Sequence, residues 1–203
     1  MLRLPPLIVC FFSCLVIQLH AQTKVVGECA ITYDIKQITS NGDTSLLGQK
    51  EIFIKGNSCK TILKTPQLTQ TLIFNTLQDT AIILKEIGLN HFLQYIQYAS
   101  IIPAKLVASK KNGMISTILN YPCESITLSW ADGTSMEVTY TTVILPTVTV
   151  YEQAFKEIPG LVLNYQLTTK AGDKILYSAT KVDLSPITLN VFEVNKENYQ
   201  QIN

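Results

Sequence analysis

FKEIPGLVLNYQL (residues 155–167) is the stretch that decides the fold. Leu161, Leu163, Tyr165 and Leu167 fall on one face of an extended chain, and Asn164, Gln166 and Thr168 fall on the other. That two-residue period marks a strand with one face in a core. Ahead of it, Pro159 fixes its own φ and biases Ile158 away from helical geometry, and Gly160 offers a backbone turn that other residues resist. The pair reads as a corner before a core strand; contact with a ligand is the rarer use of such a dipeptide.

The same alternation recurs outward from this stretch. In GECAITYDIKQ (27–37), Cys29, Ile31, Tyr33 and Ile35 alternate with Glu28, Thr32, Asp34 and Lys36. Met136, Val138 and Tyr140 stand against Glu137 and Thr139, and Ile175, Tyr177 and Ala179 against Ser178 and Thr180. Hairpin signals lie between these runs at Gly56-Asn57, Asp132-Gly133 and Gly172-Asp173, and Asp132-Gly133 suits a type I′ turn. The pattern predicts a mainly β protein, an antiparallel meander of about ten strands forming a curved sheet or open half barrel, with at most one or two short helices. One helix is expected within GLNHFLQYIQYAS (88–100), where Leu89, Phe92, Leu93 and Ile96 have helical spacing; a strand ending near Ile87 and a loop closed by Pro103 is the alternative.

The first 22 residues, MLRLPPLIVCFFSCLVIQLHAQ, carry one early cation, Arg3, an apolar run from Leu7 to Ile17, and Ala21. This is the pattern of a signal peptide (1–21) cleaved after Ala21, leaving a single β-rich domain over 22–203. The run is shorter than the roughly 20 apolar residues that span a bilayer, so a retained anchor is the weaker reading and no transmembrane span is expected after cleavage. Acylation at Cys14 is disfavoured because the apolar run continues past it. The destination is outside the cytoplasm: periplasm, outer membrane or cell surface. With 16 Lys and Arg against 15 Asp and Glu, the chain has no footprint for nucleic acid. Lys110-Lys111, beside Asn112-Gly113, reads as a solvated turn.

ISTILNYPCESITLSWADG (115–133), SMEVTYTTVILPTV (135–148) and FKEIPGLVLNYQL follow one another in an order that resembles the GLPGLI family of secreted β-proteins, found mainly in Bacteroidota. Ile118, Tyr121 and Cys123 match that family's I-x-G-Y-x-C element, with Asn120 in place of its glycine. Tyr140-Thr141 and Pro146 match its W-Y-T-x-x-I-P element loosely, and residues 157–162 match the name-giving G-L-P-G-L-I. The missing leading Gly-Leu and the longer spacing around Pro146 mark a cousin. VVGECAITYDI (25–35) and EIFIKGNSCKTIL (51–63) extend the likeness over most of the mature chain. The resemblance implies an exported β-rich domain related to lipoprotein-carrier-like half barrels, and it brings no catalytic residue.

Chemistry-bearing residues are sparse. His91 is the one histidine after the leader, and no H-x-x-x-H, C-x-x-C or G-x-S-x-G occurs, so neither an enzyme, a metal site nor a cofactor is expected. Cys29, Cys59 and Cys123 are disulfide candidates in an oxidising compartment, with Cys59 bridging to Cys29 or Cys123. Three small buried thiols is an equally good reading, and a zinc site joining them to His91 a remote one. Trp130, Tyr140, Leu161, Leu163 and Tyr165 are the candidates to line an apolar concavity for an apolar small molecule or lipid, although aromatics at strand spacing more often pack a core. The competing class is a structural or interaction module with an envelope protein partner. A hydrolase ranks last.

Overall fold

The computed structural model describes residues 23–98, 105–168 and 172–202; the leader and its cleavage point lie outside them. Six strands form a first meander: β2 (Glu28–Ile38), β3 (Thr44–Lys55), β4 (Ser58–Lys64), β5 (Thr69–Asn75), β6 (Thr80–Ile87) and β7 (Asn90–Gln97). Five more, β8 (Leu106–Ile118), β9 (Tyr121–Trp130), β10 (Ser135–Thr141), β12 (Leu161–Thr168) and β13 (Lys174–Asp183), form a second, and β13 pairs antiparallel with β2. With β14 (Gln200–Gln201) at one edge, one sheet results, in the order β14-β7-β6-β5-β4-β3-β2-β13-β12-β10-β9-β8, open and curved and not closed into a barrel. The parallel pairs β1 (Lys24–Val26) with β11 (Ile144–Pro146), and β14 (Gln200–Gln201) with β7, depart from the all-antiparallel expectation. No α-helix occurs among the described residues.

Connectivity explains the curl. Ten inter-strand steps separate β7 from β8, about 48 Å in a flat sheet at roughly 4.8 Å per step. The seven links from Tyr98 to Lys105 reach at most about 25 Å, so β7 and β8 must bend towards each other.

The helix expected within 88–100 is instead β7 over its described part. Gly88, at φ +59°, makes with Leu89 a two-residue connection from β6. Both faces of β7 carry apolar residues: Leu93 sits opposite Leu84 on the outer face, while Phe92 and Ile96 belong to the inner parity. Two covered faces produced a spacing that imitates a helix.

Turn chemistry also differs in detail. Gly133 has φ +83° but Asp132 does not share a positive φ, and Asp132 Oδ1 accepts from the Thr134 amide (2.9 Å) in a four-residue connection. The I′ pattern of two consecutive positive φ values falls at Leu119 (50°) and Asn120 (65°), between β8 and β9. Asparagine, at 120, tolerates that geometry better than most residues. Lys110-Lys111 lies within β8, next to a bulge between Lys111 and Ile115.

Residues 161–167 of FKEIPGLVLNYQL lie in β12, and Leu161, Leu163 and Tyr165 are buried as its period requires. Val162 is buried too, because a register shift in the pairing with β10 between Thr139 and Tyr140 changes the parity at the strand's start. Gly160 serves another purpose than the turn expected of it. Its φ is not positive, and a Cβ there would lie 2.1 Å from the Thr141 carbonyl oxygen. Glycine is required by close backbone approach.

Candidate functional site

All five proposed lining residues belong to one buried cluster on the inner face of the sheet. Tyr140, Leu161 and Leu163 are fully buried, and Tyr165 and Trp130 nearly so. A register row of apolar side chains, Ile35, Tyr177, Tyr165, Val138 and Ile126, crosses five adjacent strands. Tyr165 stacks on Tyr177 (4.3 Å between centroids) and meets Phe155 (5.0 Å) and Tyr33 (6.0 Å) edge-on. Tyr140 donates from its hydroxyl to Glu124 Oε2 at 2.9 Å, and burial first, then that carboxylate, pushes its pKa up to about 12.

Much of this face is covered by residues 144–160, the run between β10 and β12. Apart from β11 it has only a 3-10 turn, Gln153–Phe155, yet Ile144, Val148, Tyr151, Phe155 and Ile158 are all buried. Beyond the short β1–β11 pairing it is tied to the sheet by isolated hydrogen bonds. Tyr151 Oη accepts from the Val162 amide (3.1 Å), and the Tyr98 hydroxyl donates to the Val150 carbonyl. Thr147 ties to Val26 (3.0 Å) and Gly56 (2.7 Å). Strand periodicity missed this element; the available signal was Val148, Tyr151, Phe155 and Ile158 at steps of three and four.

At the centre sits a residue that the sequence reading passed over. Lys50, on β3 opposite Tyr33, is buried on the inner face, where Lys50, Ile52 and Ile54 share parity. Its ammonium reaches Tyr165 Oη (3.1 Å) and forms an ion pair with Glu152 Oε1 of the covering segment. The rings of Tyr165 and Tyr177 lie 5.7 and 5.5 Å from Nζ. Burial pulls the Lys50 pKa down to about 7, and the nearby Cys59 opposes that pull. The surrounding acids shift the other way: burial holds Tyr33 and Tyr165 well above their usual range and lifts Cys59 to about 12. The parity that would have found Lys50 is visible in KEIFIK, but charge alone argued for solvent.

The cysteines form no bridge. Cys29, Cys59 and Cys123 are free and buried. Ile54 stands between Cys29 and Cys59 in register, which separates them by two strand spacings, about 9.6 Å, beyond the reach of a disulfide. His91 lies on the outer face, paired in register with Glu86, and its ring is 5.5 Å from that of Tyr199. These three, with Lys60, Glu193 and Asn198, border an open recess of about 360 Å³. Tyr199 donates to Glu86 Oε1 (2.5 Å). Among the described residues no group of three or more His, Cys, Asp or Glu is arranged to hold a metal ion, and no helix is long and apolar enough to cross a membrane.

No family model matches the chain, and no curated protein matches it. Solved structures do. An uncharacterized conserved protein from Thermus thermophilus aligns with a TM-score of 0.54 at 8% identity, over 85% of this chain and 89% of that one. PNGF-II aligns with a TM-score of 0.52 at 11% identity, over 85% of this chain but only 31% of PNGF-II, so the chain spans less than a third of that protein. A LolA superfamily protein from Nitrosomonas europaea aligns over 82% of this chain and 90% of its own at 9% identity, with a TM-score of 0.37. At these identities the first two alignments speak for a shared fold: a curved, open β-sheet of this size is a known architecture.

Proposed function

We propose that this chain is an exported, non-catalytic binding protein that takes an apolar ligand, such as a lipid, onto the inner face of its sheet when residues 147–160 move aside. One observation carries the reading. The aromatic and aliphatic face of an open, curled sheet is covered by a segment with almost no regular structure of its own, seated by its buried apolar side chains and tied by isolated polar contacts. Burying Val148, Tyr151, Phe155 and Ile158 is worth about 1.5–3 kcal/mol each, roughly 6–12 in all. An acyl chain of about ten carbons, at roughly 0.8 kcal/mol per methylene, repays that loss. A smaller apolar molecule does not. The export half of the reading rests on the leader pattern in residues 1–21.

Native mass spectrometry with lipid extraction, on residues 22–203 purified from a bacterial periplasm, tests it. An adduct of lipid mass, or one formed on adding decanoate, supports the reading. A clean unliganded mass in repeated preparations, with and without decanoate, overturns it. A protein-interaction role is the second reading, favoured by β8, a 13-residue strand that is outermost among the described residues. Lysines and bulges along β8 are also the devices that discourage unwanted edge pairing, which is why this reading comes second.

A further inference from the structure

We propose that the inner face selects an anionic amphiphile, a fatty carboxylate whose headgroup replaces Glu152 on Lys50 while its tail replaces Tyr151 and Phe155. The inference rests on the apolar-ligand reading above and names the ligand class. Lys50 is the one charged residue buried in the sheet among the described residues. A buried ammonium is costly without an anion, so whatever displaces the covering segment has to deal with that charge.

Glu152 shows what satisfies it. The segment presents one carboxylate between two buried aromatic side chains, Tyr151 and Phe155, and so offers an acid head on an apolar body. The chain carries, in effect, an internal copy of its ligand. Glu152 remains about one-third exposed while the Lys50 side chain is 8% exposed, so the acid approaches from the solvent side and the cation waits at the floor. When the segment leaves, Glu152 is rehydrated at little cost, whereas Lys50 is left among Tyr33, Tyr165, Tyr177 and Cys59, none of which is an anion at neutral pH. A neutral ligand leaves the ammonium unpaired, and a cationic one repels it. A carboxylate restores the pair, and the Tyr165 hydroxyl, now 3.1 Å from Nζ, is placed to donate to its second oxygen.

Three ligands with one tail and different heads provide the test: decanoate, decanol and decylamine, titrated into the purified protein and into Lys50→Met, Lys50→Arg and Glu152→Gln, with folding checked by circular dichroism. The expected result is decanoate bound at least about tenfold more tightly than decanol, with decylamine weakest, a charge-assisted pair being the difference. Glu152→Gln releases Lys50 and tightens decanoate several-fold. Lys50→Met levels acid and alcohol, and Lys50→Arg retains the preference. Should Lys50→Met fail to fold, the headgroup series on Glu152→Gln decides by itself. Equal affinity for all three heads in the native protein and in Glu152→Gln overturns the headgroup inference and leaves the apolar-ligand reading standing. Failure of folded native protein and folded Glu152→Gln to bind any of them removes both.

Discussion

The sheet has two covers, and they are built in opposite ways. On the inner face, residues 144–160 bury Ile144, Val148, Tyr151, Phe155 and Ile158 and add isolated polar ties, the Lys50–Glu152 ion pair among them. On the outer face, residues 184–202 run back across the sheet with no residue buried; Leu189 is 70% exposed. That strap is held by polar contacts. Lys55 donates to the Ile187 carbonyl (2.6 Å) and pairs with Glu28, which accepts from the Ile187 amide (2.6 Å). Lys60 donates to the Val191 carbonyl (2.7 Å), Tyr199 to Glu86, and the Ile202 amide to Leu93 (2.8 Å). The energies differ accordingly. A buried aromatic is worth about 3–5 kcal/mol on truncation, while a typical hydrogen bond nets about 0.5–1.5. The cover that buries aromatic and aliphatic side chains is the one that stabilises more, and the one that an apolar ligand can imitate.

The largest test of this contrast is Phe155→Ala, expected to lower unfolding free energy by about 3–5 kcal/mol in a urea titration; a loss below about 1 would show the inner cover to be loosely held. Next comes Gly160→Ala. The added Cβ meets the Thr141 carbonyl, so a cost of about 1–3 kcal/mol is expected, and an unchanged midpoint would mean that the strand entry gives way freely.

The third test uses pH. Lys50 is a base whose folded pKa, about 7, lies below its ordinary 10.5, so above pH 7 the unfolded chain binds the extra proton. Stability attributable to Lys50 therefore rises with pH from about 7 upward, by at most about 1.4 kcal/mol per unit. Keeping the window to pH 7–8.5 avoids ionisation of the unfolded thiols, which acts in the opposite sense because burial raises Cys29 and Cys59 to about 12. Urea unfolding across that window should show a slope that Lys50→Met flattens; identical slopes would place the Lys50 pKa near its usual value, held there by Glu152. The smallest expected effect is on the outer strap, where Tyr199→Phe should cost about 0.5–1.5 kcal/mol. Hydrogen exchange at the Leu93 and Ile202 amides would report whether the strap loosens locally, without the global unfolding that Phe155→Ala promotes.

Alternation along residues 28–36, 136–140, 161–167 and 175–180 determined by itself that the protein is a β-sheet with one apolar face, because a strand's period is local and depends only on which residues repeat. Gly56-Asn57 likewise announced its hairpin locally. Where β7 is apolar on both sides, the local signal misled, since nothing in GLNHFLQYIQYAS says that a strap crosses its back. The covering role of residues 144–160, the reason for glycine at 160, and the meeting of Lys50 with Glu152 and Tyr165, 102 and 115 positions away in sequence, were decided by the tertiary structure. Close approach of two backbones and pairing of distant charges are relations between segments. No periodicity within one segment encodes them, and so the sheet and its apolar face were legible in the sequence while the covering segment and the buried Lys50–Glu152 pair were not.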